Sequence, residues 1–110
     1  MTPGARIAAA IDILAAIDSG ARPGDDVAAD FFRRRRFIGS ADRAEIAGQV
    51  YTVLRHRAAL DWWIGRVGEG EVAGAARSRV IAALALVERR AAEDVAASCD
   101  GSRFRPARLG

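Results

Sequence analysis

The stretch "DRAEIAGQVYTVLRHRAALDWWI", residues 42–64, decides the fold. Ile46, Val50, Val53 and Leu54 fall on one arc of a helix, and Leu60, Trp63, Ile64 and Val67 resume that period after Arg57. The spacing predicts one helix to about Arg57 and a shorter one behind it. Asp42 with Glu45 has the form of a capping box at the start of the first of these.

The same period continues upstream. Thr2-Pro3 is a cap followed by a proline in the first helical position. Ile7, Ile11, Leu14 and Ile17 then line one face until Gly20 stops the helix. "ARPGDD" (21–26) is a turn, and Asp25 or Asp26 is expected to cap a second helix reaching about Phe37, where Gly39-Ser40 breaks the chain. Downstream, "GEGE" (68–71) reads as a flexible turn. Val80, Ile81, Leu84 and Val87 mark a fifth helix of about 15 residues. "AAEDVAASC" (91–99) reads as a short sixth. No period-two strand pattern and no internal repeat is visible. The expectation is an all-α bundle of five or six helices, with a domain over residues 1–101 and the start of a linker over 102–110.

Composition fits that reading. The chain has 110 residues, room for a single core. Apolar residues make up 51%, but 25 of them are alanine, so the core needs helices that approach closely over alanine. Alanine is also the best helix former. No apolar run is long enough to span a membrane, and the N-terminus lacks the pattern of a signal peptide. Cys99 is the lone cysteine, which suits a reducing cytosol and is expected to be an inert buried thiol.

Enzymatic machinery is not visible. One His and one Cys cannot assemble a zinc site, and the carboxylates show no paired Glu/His spacing. Gly65, Gly68, Gly70 and Gly74 follow no strand, so no phosphate-cradling loop is implied. Tandem Trp62-Trp63 reads as core or interface packing. His56 is expected on the outer face near a helix C-terminus, where an imidazolium is favourable.

Charge carries more information. All 17 basic side chains are arginine, against 14 acidic ones, for a net charge of +3 and a pI of 10.3. Codon bias in a GC-rich genome also yields arginine without lysine, so clustering matters more than the total. The cluster is "FFRRRRFIGSADR", residues 31–43. On a continuous helix Val27, Phe31 and Ile38 face the core, while four consecutive arginines span about 300° and cannot form one patch. Arg34 and Arg35 are then expected at the edge of the apolar arc, serving the fold, with Arg33 and Arg36 facing solvent. Arg55 lies on the outer face of the next helix. Arg43 and Arg57 point into an apolar arc and are expected to be buried against carboxylates. Asp12, Asp42 and Asp61 are the candidates, and Asp61 is the first choice for Arg57, four residues on.

Residues 42–64 resemble the signature of NusB-like domains, with an Asp-Arg helix start, an apolar helix ending in Leu-Arg, and then Leu-Asp-Trp. The likeness is closest to the N-terminal domain of Sun/Fmu-type 16S rRNA (cytosine-5) methyltransferases, which similarly run "FRRRR…GS.DR" before that helix. "CDGSRFRPARL" (99–109) resembles the passage from that domain into a linker. The resemblance implies a NusB-like fold and a cytoplasmic, RNA-binding accessory domain that positions rRNA for a downstream catalytic domain. S-adenosylmethionine and the catalytic cysteines belong to that domain, so neither a cofactor nor a catalytic residue is expected in this chain. Joined to the wheel positions, the resemblance makes Arg33, Arg36 and Arg55 the candidate RNA-binding set. Two alternatives stay open: a docking module that packs on the catalytic domain in cis, and a free antitermination-type factor with a ribosomal-protein partner. No membrane or metal partner is expected.

Overall fold

The computed structural model describes residues 1–20, 22–66 and 75–87. All of the regular structure among them is helical: α1 (Pro3–Ser19), α2 (Gly24–Arg33), α3 (Ser40–Arg55), α4 (Arg57–Arg66) and α5 (Ala75–Ala82). A π-helical segment, Ala83–Val87, directly continues α5. The chain is an all-α bundle. The "GEGE" turn, the sixth helix, Cys99 and the domain boundary at residue 101 lie outside the described residues.

The first helix begins as its sequence dictates. Thr2 is the N-cap, its Oγ1 accepts from the Ala5 N–H at 3.1 Å, and Pro3 occupies the first turn. Gly20 closes it, donating its N–H to the Ile17 carbonyl. Gly4, Ala5, Ile7, Ala9, Ala10, Ile13 and Leu14 are buried, so α1 is covered over much of its circumference. It packs on α3, α5 and α2. The core cluster joins Ile7, Ile13 and Leu14 to Ile38, Ile46, Val50, Val53, Leu60, Val80 and Leu84. Small residues (Ala9, Ala10, Ala76 and Ala83) are buried among them, as close helix approach requires. No described helix is long and apolar enough to cross a membrane.

Two expected caps are replaced. The N-cap of α2 is Pro23, and Asp25 and Asp26 lie inside the first turn, where they face the positive end of the helix dipole without capping it. Helix α3 starts at Ser40 with Gly39 as N-cap and no side-chain cap bond. Asp42 is therefore the third helical residue, not the cap. Its carboxylate binds Arg6 Nη1 at 3.1 Å and lies 3.7 Å from the terminal ammonium of Met1, which ties the start of α1 to the start of α3.

The ion pairs also differ from the sequence reading. Arg57 is exposed and pairs with Asp18 at 3.0 Å, not with Asp61. Asp61 is taken by Arg79 on α5, whose Nε and Nη2 reach its two oxygens at 2.8 and 3.2 Å. The fork of a guanidinium matches both carboxylate oxygens. An Arg followed four residues later by an acid is the weaker helix orientation. Arg79 Nη1 also reaches Asp18 at 2.8 Å, so α1, α4 and α5 meet in one network. Arg43 finds no carboxylate among the described residues. Its Nε donates to the Ile38 carbonyl at 2.9 Å and its guanidinium lies 5.9 Å from the Phe32 ring centre.

Helices α3 and α4 are separated by His56 alone, whose N–H donates to Thr52 and whose carbonyl accepts from Leu60. That corner buries Leu60 and ends α3 two residues earlier than the spacing predicts.

Candidate nucleic-acid interface

The arginine run does not lie on one helix. α2 ends at Arg33, and Arg34 is its C-cap, with its N–H on the Asp30 carbonyl at 3.1 Å. A tight turn follows, closed by the Ile38 N–H on the Arg35 carbonyl at 3.1 Å, with Arg36 and Phe37 at its tip. The helical wheel drawn to Phe37 therefore assigns Arg34–Arg36 to a helix that is not there. The cause is tertiary. Ile38 is 2% exposed and joins the core, and Arg43 holds its carbonyl. Ile38 thus enters the core from the corner between α2 and α3 and not from a helix face.

Each arginine then has its own environment. Arg33 is exposed but pairs with Asp30 at 2.6 Å. The other oxygen of Asp30 is bound by Arg22, also at 2.6 Å. The hydrogen bond from Arg22, with help from Arg33, holds the Asp30 carboxyl below its ordinary value. Arg35 is half-buried, stacked 3.8 Å from the Phe31 ring centre and bonded to the Phe31 carbonyl. It serves the fold, as expected. Arg34 and Arg36 are exposed, and their guanidinium groups make no hydrogen bond or ion pair among the described residues. Arg34 thus leaves the structural set and joins the solvent-facing one.

Arg55 is exposed at the last position of α3, where a cation also suits the negative end of the helix. α2 and α3 run antiparallel: Arg43 meets Phe32 at one end, and Tyr51 donates its hydroxyl to Asp25 at 2.8 Å at the other. Arg55 lies twelve residues beyond Arg43, or about 18 Å along the helix. Of the expected set, Arg33 ends α2 just before the turn, Arg36 is at its tip, and Arg55 is at the far end of the hairpin. The cleft between α1, α2 and α3 is apolar and has a volume of about 20 Å³, room for about one water.

Sequence reading missed Phe37 and Arg34. The signal was the Gly39-Ser40 break. A helix start at Ser40 asks for a few residues of connection before it, which favours an end of the preceding helix ahead of Phe37.

Asp12 on α1 faces this region. Burial pushes its carboxyl above the ordinary 3.8, more than the charge of Arg35 pulls it down. A raised carboxyl disfavours the folded state when ionised, fully above its folded pKa and not at all well below 3.8. Asp12→Asn is therefore expected to raise the melting temperature at neutral pH. The gain should fade in thermal melts as the pH falls through the raised folded pKa toward 3.8, and should be gone below that. Asp30 has the opposite sense, since its depressed pKa contributes stability that is lost as the pH falls.

Comparison with protein-family models, with curated proteins and with solved structures finds no match. Among the described residues, no group of three His, Cys, Asp or Glu side chains could hold a metal ion. A functional reading rests on the basic turn.

Proposed function

We propose that this chain is an RNA-binding accessory domain of the NusB-like type, serving a cytoplasmic rRNA cytosine-5 methyltransferase. In this reading it does no catalysis, and S-adenosylmethionine belongs to a separate catalytic domain. The observation that carries the reading is the turn after α2, which presents Arg34 and Arg36 to solvent beside the partly neutralised Arg33. Guanidinium groups without a protein partner suit phosphate oxygens, and phosphate contacts dominate nucleic-acid affinity. The resemblance of residues 31–64 to the methyltransferase group supplies the class of RNA.

The test is filter binding of small-subunit rRNA fragments over a range of salt. Arg34→Gln with Arg36→Gln should weaken binding across sequences and flatten the logarithmic salt slope by about 1.4, or about 0.7 for each lost single-strand phosphate contact. Arg33→Gln should do less, because Asp30 already offsets that charge. Arg35→Gln should lower stability instead.

A second reading, docking on the catalytic domain, draws on the exposure of Trp62 and Leu86. It takes over if the Arg34/Arg36 double variant binds RNA like the parent at low salt.

A further inference from the structure

Phe37 is the most exposed of the large apolar side chains described, at 80% against 56% for Trp62, the next. Exposure of a single apolar residue is ordinary. Its setting is not. The backbone that carries it is pinned on both sides: Arg35 is stacked on Phe31, and Ile38 is sunk in the core with its N–H and carbonyl both bonded. Phe37 has no such anchor of its own; Arg36 before it is exposed, and Ile38 after it is buried in the core. The ring stands at the tip of a fixed turn, directly after the exposed Arg36, and its apolar neighbour Ile38 is buried and adds no surface to it. A protein hot spot needs a surrounding shell of contacts that excludes water. An aromatic face that follows directly on exposed arginines fits an unpaired base, which offers a π-face and adjoining phosphates.

We infer that the turn Arg35–Ile38 is a stacking site for an unpaired RNA base. The Phe37 ring is its platform, and Arg34 and Arg36 hold the neighbouring phosphates. This rests on the RNA-binding reading and narrows it: the chain recognises single-stranded or looped RNA. In a duplex the bases are stacked on one another, the ring cannot reach a face, and only the arginines act.

The test compares fluorescence-anisotropy titrations of labelled oligouridine and of the oligouridine–oligoadenine duplex, using the whole chain. Phe37→Ala should weaken oligouridine binding by about 5- to 150-fold, the range for one base–aromatic stack. It should leave duplex binding, the salt slope and the melting temperature unchanged. Phe37→Trp should retain binding, and Phe37→Leu, equally apolar without a π-face, should not. If the parent binds neither RNA, the RNA-binding reading fails and this inference fails with it. If the parent binds oligouridine and Phe37→Ala binds it equally well, only the stacking site is overturned. Binding of the parent to phosphatidylserine vesicles, lost in Phe37→Ala while oligouridine binding persists, would overturn it in favour of a membrane contact.

Discussion

Ile46→Ala should lower the unfolding free energy by about 4 kcal/mol, in the upper half of the range for such truncations. Ile46 is fully buried on α3, the helix against which α1 packs. Two effects add. The removed methylenes lose their transfer energy, and the space they leave costs more unless the walls can close. Closure is restricted here because Ala9, Ala10, Ala76 and Ala83 are buried in the same cluster, where α1 packs on both α3 and α5 and small side chains leave little room to move. Backbones in near contact cannot move in to fill a hole. Ile46→Val, which removes one methylene, should cost about 1 kcal/mol. Urea melts followed by circular dichroism give both values. A loss for Ile46→Ala near that of Ile46→Val would show that the bundle can collapse around the gap.

Arg79→Ala should cost about 2 kcal/mol, between the value of an exposed pair and that of a buried one. Only 13% of the Arg79 side chain is exposed, and its guanidinium serves Asp61 and Asp18 together. Asp61, nearly half exposed, recovers hydration when the partner goes. Asp18 keeps Arg57. That is why the loss stays below the penalty of a stranded buried charge. Arg57→Ala should cost about 0.5 kcal/mol, because Arg57 is largely hydrated and Asp18 keeps Arg79. The two changes are coupled through Asp18, so the double variant should lose more than the sum. Arg79→Lys should recover only part of the loss, since an ammonium cannot span both Asp61 oxygens. Equal costs for Arg57→Ala and Arg79→Ala would show that the network has no centre.

Most of this bundle could be read from residue spacing. The Thr2 cap, the Gly20 stop, the Gly39-Ser40 break and the apolar sets of α1 and α3 are local, and a helix has only nearby residues from which to build its turns. What escaped was non-local. Nothing within "RRRR" breaks a helix, because arginine is a good helix former. The end of α2 goes with the corner in which Ile38 is buried and its carbonyl is held by Arg43. Ion partners escaped for the same reason. Asp61 is four residues from Arg57, but the guanidinium that takes it comes from residue 79, and Asp18 reaches across to α5. Proximity in sequence favoured the neighbour, and the fold supplied a better geometry. At the candidate site, the solvent-facing character of Arg33 and Arg36 and the structural role of Arg35 were legible. The position of Arg34 and the exposure of Phe37 depended on the helix end.

The cations at the turn after α2 are all arginines, with no lysine or histidine among them. A guanidinium stays protonated at any pH a cell reaches, and it escapes the acetylation that silences lysine. The electrostatic surface of this turn is therefore a constant. On the proposed RNA-binding reading, what varies its occupancy is ionic strength, a competing partner, or the shape of the strand that arrives.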